Sequence, residues 1–309
     1  MDIDKIAVIG MSSLGRGIVE RLSTAAMTVK GYDPSAKTLA GAKTWLQDIR
    51  ALFVSTGLID PETRQTAIRM TTLGLDIDDA VRSADLIIDA TDALEPDARQ
   101  TLWKKIAIAA PENAIIAVDL EMNGFDQLPE PFASRSHPII GLRWYQPVST
   151  MKLVEVSAPD GTSPDIVDVV TSILTAADIQ TTTPQTGGFN AVSRMRMALL
   201  REAFAMIESG EATPEVIATA VQKVIGPQLT AAGLFGYLSS VGLGRVTFWL
   251  THDLPLLSTS LVPPKRLADA IAANDSSLID DLVAKSPDGG DSVHPVERKL
   301  ARILMVAGE

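Results

Sequence analysis

The chain has 309 residues, 46% of them hydrophobic, and a net charge of −11. That length is enough for two domains with a sizeable core, and the acidic balance excludes broad nucleic-acid binding, which needs a basic surface. Cysteine is absent, which excludes disulfides, thiolate metal sites and thiol nucleophiles, and His137, His252 and His294 are too scattered to show metal-ligand spacing. Met1 to Lys5 carries two aspartates and leads straight into a strand, so no signal peptide is expected. No apolar run reaches the roughly 18 residues of a membrane span, so no membrane partner is expected and a cytoplasmic location is.

Ile6 to Ile9 is a short apolar run typical of a buried parallel strand. Gly10-Met11-Ser12-Ser13-Leu14-Gly15 follows, then a helical pattern through Leu22, then a second strand, Thr28 to Asp33. Strand, glycine turn, helix, strand, acid is the dinucleotide-binding fingerprint. Gly10, Ser12, Ser13, Leu14 and Gly15 form its pyrophosphate turn, where a helix N-terminus offers free N–H groups. Asp33 is placed to accept from the adenosine ribose and to repel a 2′-phosphate, which favours NAD over NADP. Ser12 stands where the fingerprint has its second glycine, so its side chain is expected to weaken or shift the cofactor. The alternative is a turn that binds nothing.

Residues 35 to 83 read as helices, with Leu39, Ala42, Trp45, Leu46, Ile49 and Phe53 at helical spacing. Gly57 ends one helix, and Asp60-Pro61 starts the next as N-cap and first residue. Ala84 to Ala90 is a buried strand, and Ala90 and Thr91 complete the expected cofactor set. A helix runs from Pro96 through Ile106. Ala114 to Val118 is the next strand, and the carboxylates Asp119 and Glu121 follow it. After a proline-rich loop come the strand Ile139 to Tyr145, ending before Pro147, and the segment Met151 to Val156. A helix and a strand fit residues 163 to 182, Gly187-Gly188 marks a boundary, the pattern is helical from Met195, and 291 to 306 looks like a last helix.

Gly141-Leu142-Arg143-Trp144-Tyr145-Gln146-Pro147, then Met151-Lys152-Leu153-Val154-Glu155-Val156, resembles the active-site segment of the 3-hydroxyacyl-CoA dehydrogenase family, G-L-H-F-F-N-P and M-K-L-V-E-V. Further matches run through roughly residues 5 to 270. The resemblance implies a Rossmann-type, doubly wound parallel α/β sheet with a helical hairpin insertion over residues 1–186, and an all-α C-terminal domain over 187–309. It implies an NAD-dependent oxidoreductase moving hydride between nicotinamide and a 3-hydroxyacyl or 3-ketoacyl substrate, possession of a CoA thioester pocket under the hairpin, and a homodimer formed through the helical domain. Glu155 matches the family's catalytic glutamate, while the histidine position is Arg143 and the asparagine position Gln146. Ser193 stands where a second active-site asparagine would be, and Glu121 replaces a neutral polar group.

Arginine does not titrate in proteins, so Arg143 cannot act as the histidine does. Three readings stay open. Arg143 pairs with Glu155, or it binds a carboxylate or phosphate of a non-standard substrate, or it polarises a substrate carbonyl. Tyr145 shares its strand face and is a proton donor or simply core. His137 is no substitute, since six extended residues put it roughly 20 Å away. The other function class is a non-catalytic homologue that binds a nucleotide or acyl-CoA.

Overall fold

The computed structural model describes residues 3–91, 96–119, 137–183, 191–260, 265–273, 275 and 293–307. The chain divides into two compact units, Met1–Gly188 with Gly290–Glu309, and Phe189–Gly289.

The first unit is built on an eight-stranded sheet in the order β3-β2-β1-β4-β5-β6-β7-β8. Its strands are β1 (Lys5–Ile9), β2 (Thr28–Tyr32), β3 (Thr71–Gly74), β4 (Leu86–Asp89), β5 (Ile115–Val118), β6 (Ile139–Trp144), β7 (Leu153–Ser157) and β8 (Gln180–Thr182). The first six run parallel, β7 runs antiparallel to β6, and β8 parallel to β7. Order 3-2-1-4-5-6 is the Rossmann arrangement, which places ligands at the C-terminal strand ends beside β1 and β4. The central strands are continuous apolar runs because helices cover both faces. One face buries Ile6, Val8, Leu86, Ile88 and Leu142 under α1 (Ser13–Thr24), α2 (Ala36–Thr56) and α6 (Pro164–Ala176). The other buries Ala7, Ile9, Ile87 and Ile116 with Trp103 and Ile106 of α5 (Pro96–Ala109) and the short α4 (Ile77–Val81).

The hairpin after β2 is α2 and α3 (Pro61–Arg69). Its boundaries follow from local chemistry. Gly57 closes α2 in a left-handed conformation, φ 77°, and the Asp60 side chain caps α3 by accepting from the Thr63 N–H, with Pro61 at the first position. The sequence reading of 35–83 as helices alone needs correcting, because Thr71–Gly74 is strand β3. Its four residues hold no apolar run, and only pairing with β2 reveals it.

The second unit holds α7 (Ala191–Ser209), α8 (Pro214–Ala220), α9 (Gly226–Val241), α10 (Leu243–Phe248) and α11 (Lys265–Ala272). The last helix, α12 (Pro295–Ala307), packs on α2 and is part of the first unit. The domain boundaries expected from sequence, 1–186 and 187–309, therefore differ from the contacts at the C-terminal end. The apolar pattern of α12 shows that a face is buried but not against which partner.

Candidate active site

The dinucleotide turn joins β1 to α1. Gly10 has φ +94°, and a Cβ there would stand 2.9 Å from the Ala90 carbonyl oxygen. A Cβ on Gly15 would stand 1.7 Å from the Gly10 carbonyl oxygen. Both positions exclude a side chain, one by backbone conformation and close approach to Ala90 and Thr91, the other by helix–strand packing. Ser12 is the N-cap of α1, but its side chain makes no capping hydrogen bond. Its Oγ is buried and has no hydrogen-bond partner among the described residues. No acidic residue sits in the first turn of α1. The helix N-terminus is thus open to an anion, with one orphaned hydroxyl beside it.

Asp33 sits at the tip of β2, where Oδ2 accepts from the Met11 N–H at 3.0 Å and Oδ1 from the Ser35 N–H at 2.9 Å. Each oxygen keeps a lone pair for a ribose hydroxyl. The close approach of Gly10 to Ala90 and Thr91, the open start of α1 at Ser12 to Gly15 and the carboxylate of Asp33 are features that suit NAD. At its edge Asp89 fixes the turn after β4, its Oδ1 accepting from the Thr91 N–H and hydroxyl and its Oδ2 from Trp103 Nε1.

The residues of the resembling motif lie on β6 and β7. Arg143 and Glu155 are register partners across this antiparallel pair. Their side chains share one face, with Cβ atoms about 4.5–5.5 Å apart. Glu155 is buried and Arg143 half-buried. Tyr145 is buried directly after β6. The following turn, Pro147 to Met151, is closed by the Thr150 and Met151 N–H groups donating to the Pro147 carbonyl. Ser13 Oγ donates to Gln146 Oε1 at 3.1 Å, so the cofactor cradle touches the turn after β6 directly.

Glu121 lies outside the described residues, and Ser193 lies in the first turn of α7, in the second unit. His137 is buried at the start of β6, against the Ala107 carbonyl of α5, at the strand end away from Arg143. Sequence reasoning missed the Ser13–Gln146 link and the role of Asp89. Neither had a signal, because the partners are 133 residues apart in one case and the Trp103 contact depends on how α5 packs in the other.

Residues 5–183 match the family model described as 3-hydroxyacyl-CoA dehydrogenase, NAD binding domain. A 5-formyl-3-hydroxy-2-methylpyridine 4-carboxylate 5-dehydrogenase of Mesorhizobium japonicum is 28% identical over 263 residues, 82% of this chain and 81% of the relative. An L-carnitine dehydrogenase of Pseudomonas putida is 26% identical over 98% of this chain and 90% of its own. The fold matches a crystal structure of a 5-formyl-3-hydroxy-2-methylpyridine 4-carboxylic acid 5-dehydrogenase, an NAD+-dependent dismutase, with a TM-score of 0.83 over 99% of both chains at 22% identity.

Proposed function

The chain belongs to the 3-hydroxyacyl-CoA dehydrogenase family and is an NAD-binding oxidoreductase; from that premise we propose that its substrate is a compact alcohol or aldehyde carrying a carboxylate, which Arg143 receives. The observation that carries this reading is the register pairing of Arg143 with buried Glu155 on β6 and β7. A forked, permanently charged donor at the site of the family's histidine suits a carboxylate better than a neutral thioester. The similarity to a dehydrogenase whose name contains a pyridine carboxylate with a formyl group supports it.

When bound, NAD supplies the hydride acceptor. Arg143 holds the carboxylate and so orients the reacting carbon. Glu155 takes the hydroxyl proton as the alcohol is oxidised and returns it in the reverse direction. Tyr145, two residues after Arg143 and buried, is the further proton donor this reading offers. Asp33 and Ser12 hold the adenosine ribose and the pyrophosphate.

A second reading keeps the family's acyl-CoA substrate. It is supported by the matched segment Met151 to Val156 and by the helical hairpin, and Arg143 then polarises the substrate carbonyl that exchanges hydride. A third is a non-catalytic binder in which Arg143 preserves the architecture of the site. We also propose that the chain forms a homodimer through its second unit. Among the described residues of that unit only Phe204 is a buried hydrophobic, while Phe235, Leu243 and Leu256 are about four-fifths exposed at 81%, 82% and 80%. Apolar surface of that extent marks an interaction site.

The test is NAD reduction by the purified protein with pairs of aromatic alcohols that differ only in an ortho carboxylate, and NADH oxidation with acetoacetyl-CoA. The carboxylate member should have a kcat/KM at least about 30-fold higher, the worth of a charge-assisted hydrogen-bond pair. Equal turnover of the pair, or turnover of acetoacetyl-CoA alone, would overturn the carboxylate reading. NADH binding with no turnover of any of them would favour the binder.

A further inference from the structure

Glu297 is a buried carboxylate that the chemistry above does not use. It lies in the first turn of α12 and accepts three hydrogen bonds, from α2, from the turn after β6 and from its own helix start. Oε2 accepts from the His294 N–H at 3.3 Å and from Trp45 Nε1 of α2 at 3.2 Å, and Oε1 accepts from Ser149 Oγ at 3.3 Å. The Arg16 guanidinium of α1 lies over the Trp45 ring, 4.6 Å from its centroid, and the Glu297 charge opposes the effect of burial on Arg16. The first of these bonds is an ordinary helix cap: a glutamate at the third position of α12 reaching back to the N-cap N–H, while His294 Nδ1 accepts from the Val296 N–H. A cap needs only water and its own helix. It does not explain burial against Trp45 and Ser149.

Ser149 is 2% exposed and belongs to the turn after β6. That turn is pressed onto α1. A Cβ on Gly17 would come within 2.9 Å of the Val148 side chain. Two residues before Val148, Gln146 accepts from Ser13 in the cofactor cradle. The turn is therefore held on one side by α1 and on the other by Glu297, and one of its residues meets the pyrophosphate turn. Groups that bind a ligand through so short a chain of contacts are sensitive to displacements of under an ångström.

We propose that Glu297 is a positioning residue for the cofactor site: through Ser149 it fixes the turn after β6, and through Gln146 and Ser13 that turn sets the cradle for NAD. The C-terminal helix is thus a working part of the nucleotide-binding unit. This rests on the cofactor site alone, so its failure would leave the substrate reading untouched.

The experiment is fluorescence titration of the full chain with NADH, with a thermal melt of each variant, for Glu297→Ala, Glu297→Gln and Ser149→Ala. Ser149→Ala should lower the melting temperature by less than Glu297→Ala does and bind NADH up to about fivefold more weakly, the ceiling set by one lost hydrogen bond. Glu297→Ala should show the same weakening together with a lower melting temperature. Glu297→Gln should keep binding, because its amide oxygen can accept from Trp45 and the His294 N–H while its NH2 donates to Ser149 Oγ. If Ser149→Ala binds NADH as tightly as the wild type, Glu297 is a helix cap and nothing more, and that result holds whether or not Glu297→Ala folds.

Discussion

At the scale of single residues, Ser12 decides how this turn meets a dinucleotide. Its hydroxyl is buried without a partner among the described residues at the N-terminus of α1, and an orphaned buried hydroxyl costs roughly 1–3 kcal/mol until something satisfies it. A pyrophosphate oxygen is the natural acceptor. Ser12→Ala should weaken NADH and ADP-ribose by about three- to tenfold and leave adenosine unchanged, as isothermal titration would measure. Tighter binding in Ser12→Gly would show instead that the side chain obstructs the cofactor. The places of Gly10 after β1 and Asp33 after β2 were legible in the local strand–turn–helix–strand pattern, and that of Glu155 on a strand through the family resemblance. Gln146 and Glu297 were not legible in their roles, because their partners are 133 and 148 or more residues away and the contact exists only once the sheet has formed.

At the scale of elements, the hairpin is tied to the sheet by a buried ion pair. Glu20 of α1 and Arg50 of α2 meet at 2.7 Å with side chains 1% and 5% exposed. Arg50 also donates to Ser23 and to Thr71 of β3. The strong elements were readable from apolar period and caps. The strand β3 was not, since what makes it a strand is its pairing with β2 and the Arg50–Thr71 bond, neither of them local. Burial raises the Glu20 pKa, and Arg50 opposes that rise. Arg50→Met should cost about 3–5 kcal/mol at pH 8, since it leaves a buried carboxylate unpaired. A folded-state pKa above the unfolded one favours folding most at low pH, and that contribution is lost as pH rises through the folded value. The deficit of the variant should therefore shrink as pH falls from 8 toward the ordinary glutamate range near about 4.3. Thermal melts across that interval measure it, and a deficit that grows on acidification would contradict the assignment.

At the scale of the whole molecule, the two units differ in how they bury apolar surface. The first has two continuous cores. The second leaves long side chains such as Phe235 and Leu243 exposed within one chain, the state expected of a unit that completes its core with a second copy. Sedimentation should give a dimer, and Phe235→Glu should shift it toward monomer; an unchanged monomer in both would remove the dimer proposal. The α-helical character of this unit was readable from its sequence, but the return of α12 to the first unit was not, because an amphipathic pattern names a buried face and no partner.

The central claim concerns Arg143, and the most direct measurement exchanges it for the residue the family carries. Arg143→His and the wild type should be compared for turnover of the ortho-carboxylate alcohol and of acetoacetyl-CoA, with NADH affinity measured for both. The account predicts that the substitution lowers kcat/KM for the carboxylate substrate by at least about 30-fold, raises it for acetoacetyl-CoA, and leaves NADH affinity unchanged. An Arg143→His variant that keeps the wild-type preference for the carboxylate would contradict it.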